Sequence, residues 1–210
     1  MNFNPAFCRV IKKQRRKKML KEIEVEIELI EPMLGTVPKD PVIYKTFIES
    51  KKPEDILDEE SKTVEKIEQK GWTGFHKDEQ GLFIFDYMIR GFLKNAGNVL
   101  KDSLGVKNIK SKIDNQLFVF PRKIYFGKSE PDGILERPLR AMTMQGPRVT
   151  LARSDFIAAG TRLRFVLKWF NGKDINEKII RECLAYGELQ GLGQFRNGSY
   201  GRFKVLESVK

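Results

Sequence analysis

The chain has 210 residues, 40% of them hydrophobic, and a formal net charge of +11. That length bounds it to one large domain, or one domain with insertions, and no apolar run approaches the ~20 residues of a membrane-spanning helix. Two cysteines, Cys8 and Cys183, are too few and too far apart for a disulfide framework or a zinc site, so a reducing, cytoplasmic setting is the expectation.

Residues 1–18 hold Arg9, Lys12, Lys13, Arg15, Arg16, Lys17 and Lys18 and no acid. Setting these seven aside leaves 32 basic against 28 acidic residues, a balance of only +4. The segment lacks the apolar core and small-residue cleavage site of a secretory signal. Two readings of it stand. It is a flexible nucleic-acid anchor, since dense Lys and Arg attract phosphate through counterion release, or it precedes a true start at Met19.

From Leu20 to Ile30 the chain alternates strictly, with Ile23, Val25, Ile27 and Leu29 on one face and Glu22, Glu24, Glu26 and Glu28 on the other. Period two over this length predicts a half-buried strand, and the glutamate face reads as solubilising. Pro32 and Gly35 end it. Asp40-Pro41 supplies an N-cap and a proline at the first helical position, predicting a helix through about Ser50. Ile56, Leu57, Val64 and Ile67 predict a charged surface helix over 53–70. Gly71–Gly81, with Trp72, Phe75 and His76, reads as a loop, and Leu82–Phe85 as a short strand or helix lead-in. A helix is expected from Asp86 to about Leu104.

Leu117–Phe126 predicts a strand interrupted by Pro121, which confines it to an edge or a bulge. Glu130–Gly146 shows no clear period, and Arg148–Ala158 is a candidate strand. Arg162–Phe170 alternates again, with Leu163, Phe165, Leu167 and either Trp169 or Phe170 turned inward. Asn171-Gly172 marks a turn, and Ile175–Tyr186 predicts a helix with Ile179, Ile180, Cys183 and Leu184 inward. A last strand is expected at Gly201–Leu206. The interspersed elements predict an α+β fold, helices on one face of a mostly antiparallel sheet; a ferredoxin-like or RNA-recognition topology fits that order.

The stretch Gly187–Phe203 carries five glycines, two arginines and three aromatics. Glycine lets the backbone approach a ligand, arginine offers forked donors to phosphate, and aromatics offer flat faces to bases. Gly191, Gly193, Gln194, Arg196, Gly198, Tyr200, Gly201 and Arg202 are therefore candidate nucleic-acid contacts; the alternative is a glycine-rich hairpin capping a sheet. Arg90 and Lys94, one helical turn apart, are candidate phosphate donors or a solvated face. Arg137, Arg140, Arg148 and Arg153, with Met142 and Met144, could wedge between nucleotides from an extended loop, or form an ordinary exposed loop. His76, the only histidine, is a candidate general base, although a single histidine in an aromatic loop is more often incidental. No HxxxH, CxxC, GxSxG or Walker-type run occurs, so no catalytic residue, metal site or cofactor is assigned. Asp40 is accounted for by its capping role.

Three segments together resemble the RAMP superfamily, the RNA-binding subunits of CRISPR effector complexes. Gly191-Leu-Gly-Gln-Phe-Arg-Asn-Gly-Ser-Tyr-Gly-Arg-Phe-Lys-Val205 resembles the family's glycine-rich loop and following strand. Ala158-Ala-Gly-Thr-Arg-Leu-Arg-Phe165 is similar to the strand after its glycine-threonine turn. Phe85-Asp-Tyr-Met-Ile-Arg-Gly-Phe-Leu-Lys-Asn-Ala96 occupies the place of its arginine-containing helix, and Ile30-Glu-Pro-Met-Leu-Gly35 ends what would be its first strand. Asp86 and Tyr87 depart from the small residues expected ahead of Arg90-Gly91.

The resemblance implies a single domain over 19–210 with thumb- and fingers-like insertions near 51–81 and 117–148. It implies a non-enzymatic backbone subunit that grips single-stranded guide RNA without sequence preference, beside other effector subunits or copies of itself. Other jobs on the same fold are a virus-encoded mimic that inhibits a host CRISPR complex (an anti-CRISPR) and a guide-RNA-processing endoribonuclease. Outside the family stands a single-stranded DNA-binding protein of a mobile element.

Overall fold

The computed structural model describes residues 20–39, 72–143 and 146–206, and for 139–150 the backbone alone. The basic arm, the helices expected at 40–50 and 53–70, Asp40 and Met144 lie outside the described residues. In chain order the elements are β1 (Leu20–Leu29), β2 (Met33–Leu34), β3 (Val37–Pro38), β4 (Trp72–Gly74), β5 (His76–Asp78) and β6 (Gly81–Phe85). Then come α1 (Asp86–Val99), α2 (Lys101–Leu104), α3 (Ile109–Gln116), β7 (Leu117–Phe120) and β8 (Lys123–Tyr125). The chain continues through β9 (Gly133–Thr143), β10 (Gly146–Ile157), β11 (Arg162–Phe170), α4 (Glu177–Ala185) and β12 (Phe203–Leu206).

The protein is α+β. Its central sheet runs β12-β1-β11-β7 with every neighbouring pair antiparallel. In chain order these strands and the two principal helices read β1-α1-β7-β11-α4-β12. The alternation in the sequence sets the two faces: Val25, Ile27 and Leu29 from β1 and Leu163, Phe165, Leu167 and Trp169 from β11 are buried. They meet Ile89, Phe92, Leu93 and Ala96 of α1 and Ile179, Ile180, Cys183 and Leu184 of α4 in one core. Each fully buried Ile or Leu contributes roughly 2 kcal/mol. Phe92 and Phe203 close the core edge to face, at 5.1 Å between centroids. Asn176 caps α4, its side chain accepting from the Ile179 amide at 3.1 Å, and Asp86 in the first turn of α1 complements that helix dipole.

Four regions differ from their sequence reading. The expected loop at 71–81 forms β4 and β5, strands of three residues whose period is too short to see. The expected helix to Leu104 stops at Val99, and α3, not anticipated, follows; Gly97 lets it approach, because a Cβ there would meet the Ile113 side chain at 2.6 Å. The strand over 117–126 divides at Pro121 into β7 and β8, which lie at the edges of two different sheets, as a proline without an amide donor requires. The other members of the second of these, a three-stranded sheet, are β5 and β6.

The largest difference is at 130–146. This span is not irregular. β9 pairs with β10 from Gly133↔Phe156 to Thr143↔Gly146, a long antiparallel hairpin. Pro138, opposite Leu151, and the alternation of Ile134 and Leu151, both about half exposed, with polar neighbours masked its period. The root of the hairpin is built into the body. β2 pairs antiparallel with β10 at Leu34↔Phe156, β4 pairs parallel with it at Arg153↔Trp72, and β3 pairs with β4.

Candidate nucleic-acid interface

The glycine-rich stretch leaves α4 through a single 3-10 turn at Tyr186–Glu188, makes a second at Arg196–Gly198, and enters β12. Its glycines are placed by close packing. A Cβ on Gly191 would fall on the Gly201 carbonyl, and one on Gly201 (φ +71°) on the Leu192 carbonyl. One on Gly193 (φ +84°) would press on the Leu34 carbonyl oxygen at 2.6 Å, and one on Gly198 would strike the Phe195 ring. Most of the loop's amides are also spent inside the protein. Leu192 donates to Gly201 at 2.9 Å, Gln194 to Leu34 at 3.3 Å and Gly201 to Pro32 at 2.8 Å; Gly198 and Ser199 donate to Phe195 and Arg196. What the loop offers outward is chiefly side chains.

Those side chains meet the root of the hairpin. Thr73 Oγ1 and Ser154 Oγ donate to Gln194 Oε1 at 2.9 and 3.1 Å, joining β4, β10 and the loop. Arg137 of β9 lies with its guanidinium carbon 4.7 Å from the centroid of Phe195, whose ring stands 5.8 Å from that of Tyr200. Arg137 is only 8% exposed, and its Nε and Nη1 find no hydrogen-bond partner. Burial pushes its pKa down, partly offset by the Tyr200 phenol. Arg196 has no ion pair among the described residues, whereas Arg202 Nε donates to the Glu188 carbonyl at 2.6 Å and pins the loop stem. Beside this cluster opens a cleft of about 460 Å³ lined by Pro32, Leu34, Leu135, Phe156, Ser199 and Tyr200.

Behind it, Asp155 accepts from Lys39 Nζ and from Trp72 Nε1, both at 2.9 Å, and Lys39 lies 4.4 Å from the centre of the Trp72 ring. This buried carboxylate fastens β3, β4 and β10 together under the loop.

The remaining candidates lie apart. Arg90 and Lys94 share one face of α1, and both are engaged by Asp114 of α3: Arg90 Nη2 donates to its backbone oxygen and lies 3.2 Å from its carboxylate, which Lys94 approaches at 3.1 Å. Arg140 and Arg148 fall on the hairpin, opposite Val149 and Ala141, with side chains outside the described residues, as is that of Met142. Arg153 pairs with Glu136 at 2.7 Å. His76 stands on β5 in the three-stranded sheet, stacked on Phe83 at 5.5 Å and edge-on to Phe85 at 4.7 Å, its pKa lowered by burial. The structure therefore brings Arg137 to Phe195 and Tyr200 of the loop, seats Gln194 on Thr73 and Ser154, and sets Arg90 and Lys94 elsewhere.

Thr73, Ser154 and Phe195 were not singled out from the sequence. Phe195 sits between two flagged residues, so the aromatic spacing of the loop was the available signal; Thr73 and Ser154 had none, because only tertiary pairing brings them to Gln194.

The fold has a known counterpart. The chain is similar to a chain in the cryo-EM structure of the Type III-B Cmr-beta bound to cognate target RNA. The TM-score is 0.51 at 13% sequence identity, over 96% of this chain and 64% of that one, so this chain spans less than two thirds of its counterpart's length. At that identity the likeness is one of fold. No family model matches the chain, and no curated protein matches it by sequence. Among the described residues, no helix is long and apolar enough to cross a membrane.

Proposed function

We propose that this protein is a RAMP-type, ferredoxin-like RNA-binding subunit of a CRISPR effector assembly, gripping the sugar-phosphate backbone of single-stranded guide RNA without catalysing a reaction on it. The observation that carries this reading is the junction of the glycine loop with the long hairpin, where unpaired arginine donors and aromatic faces converge. The connectivity β1-α1-β7-β11-α4-β12 with order β12-β1-β11-β7 supports the ferredoxin-like reading. The fold likeness to a chain of an RNA-bound Cmr structure supports the same reading.

In this reading residues 19–210 form one domain. Its inserted segments lie near 51–81 and 117–148, and the β9–β10 hairpin begins within the second. Because the loop's amides are largely satisfied internally, the grip falls to side chains: Arg196, Arg202, Arg137 and the hairpin's Arg140 and Arg148 toward phosphates, Phe195 and Tyr200 toward bases. Gln194, held by two hydroxyl groups, fixes the loop against the hairpin. Partners are the guide RNA, other effector subunits and further copies of the chain along it.

Filter binding of single-stranded RNA across a salt series tests this. Affinity should fall linearly on a log–log plot, and Arg196→Ala with Arg202→Ala should weaken it by about tenfold or more, the cost of two charge-assisted contacts. Undiminished affinity in that double variant removes the site. Competition with DNA of matched sequence should favour RNA, through the 2′-hydroxyl.

A further inference from the structure

Arg137 is a buried cation with no anion beside it among the described residues. Its Nε and Nη1 donate to nothing, and no acidic side chain pairs with it among the described residues. A buried charge is ordinarily paired, and an orphaned buried donor in a folded protein calls for a partner that arrives from outside. Phe195 lies over the guanidinium. Phe195 is itself 42% exposed, so the side chain lying over the buried cation reaches solvent.

The segment that carries this ring is held in a costly backbone state at both ends. Phe195 has φ +56° and Ser199 φ +67°, in the left-handed region that side chains disfavour, with the 3-10 turn Arg196–Gly198 between them. Gly193 and Gly201, at φ +84° and +71°, flank it as pivots that tolerate such angles. A turn strained at two points, covering an unsatisfied cation, is poised to lift.

We infer that Arg137 is an occluded phosphate subsite and that the turn Phe195–Ser199 is its cover. One phosphodiester of the RNA enters as the turn lifts, and accepts hydrogen bonds from the free Arg137 donors. The desolvated setting makes this contact stronger than one at an exposed lysine. The inference rests on the RNA-binding reading for the identity of the phosphate carrier, and on the structure alone for the anion site.

The test compares wild type with Arg137→Met, an uncharged side chain of similar length, and with Phe195→Gly. In the free protein Arg137→Met should raise the thermal midpoint, because it removes an uncompensated buried charge. Inorganic phosphate should raise the midpoint of wild type and not of Arg137→Met. RNA affinity should drop about tenfold, and the salt slope should fall by about one, the loss of one phosphate contact. Phe195→Gly, which suits the left-handed backbone and removes both the cover and one base-stacking face, should speed RNA association several-fold while also speeding dissociation.

RNA binding with unchanged affinity and slope in Arg137→Met overturns the subsite while leaving the RNA reading intact. A phosphate effect lost in Arg137→Met, from a protein that binds no RNA, keeps the subsite and overturns the RNA reading. If Arg137→Met does not fold, Phe195→Gly decides: an unchanged or slower association rate overturns the cover.

Discussion

The open face of the central sheet and the junction of the glycine loop with the hairpin both carry arginines, and they treat them in opposite ways. On the open face the acids of β1 meet cations across the strands. Lys168 reaches Glu22 at 3.1 Å, Arg164 reaches Glu26 at 3.2 Å, and Arg162 and Lys204 reach Glu28 at 3.0 and 2.9 Å. The ladder follows from register, since Glu22, Glu26 and Glu28 stand opposite Lys168, Arg164 and Arg162. Its field is cancelled within the protein. At the junction, Arg137 and Arg196 have no acidic partner among the described residues, and the acid nearby, Asp155, is spent on Lys39 and Trp72. A count of positive residues does not distinguish the two surfaces; the pairing does. In a chain with a near-balanced body, the residual cation is where the RNA-binding reading puts a phosphate.

The contrast can be broken at its strongest point by Gly201→Ala. The substitution forces a Cβ onto the Leu192 carbonyl at a positive φ, and should cost about 3 kcal/mol or more in urea denaturation. A neutral result would mean that the loop does not pack as described and that its glycines are free for a ligand. Asp155→Ala comes next. It frees Lys39, which is partly exposed and can be solvated, and orphans Trp72 Nε1; a loss of about 2 kcal/mol is expected. The same variant should weaken RNA binding, because it loosens the hairpin root on which Thr73 and Ser154 seat the loop through Gln194.

Gly91→Ala, by contrast, places a Cβ on α1 where nothing lies within 4 Å. It should stabilise the protein by about 0.5–1 kcal/mol in the same denaturation experiment. A destabilising result would point to a partner pressed against that helix. The smallest effect belongs to the ladder. Arg164→Ala removes a side chain that is 79% exposed, and should leave RNA affinity within about twofold and stability within about 0.5 kcal/mol. A tenfold loss of RNA affinity would move the interface onto the sheet face and end the comparison.

Much of this body was legible in the sequence. The strict alternation of β1 and β11 set most of their buried faces, with only the choice between Trp169 and Phe170 left to the structure, and Ile179, Ile180, Cys183 and Leu184 set the inner stripe of α4, because the hydrophobic period of a long element is local information. The glycine stretch was legible as something unusual, but not in its role. A glycine that serves close packing and one that serves a ligand look the same in a sequence. Gly191 and Gly201 prove to pack on the loop's own backbone, which leaves the outward work to side chains.

Only one arm of the hairpin was legible: Arg148–Ala158 read as a candidate strand, which β10 bears out, whereas nothing in 130–146 announced β9. Strands β9 and β10 stabilise one another through a ladder running from Gly133↔Phe156 to Thr143↔Gly146. Only when they pair does Arg137 arrive beneath Phe195, some sixty residues away along the chain. The sequence by itself determined which residues enter the core and that arginines and aromatics are concentrated before the last strand, since those are matters of composition and period. The tertiary structure alone decided which arginines are spent and which are left, because an ion pair forms between residues far apart in the chain, and charge balance is settled in space.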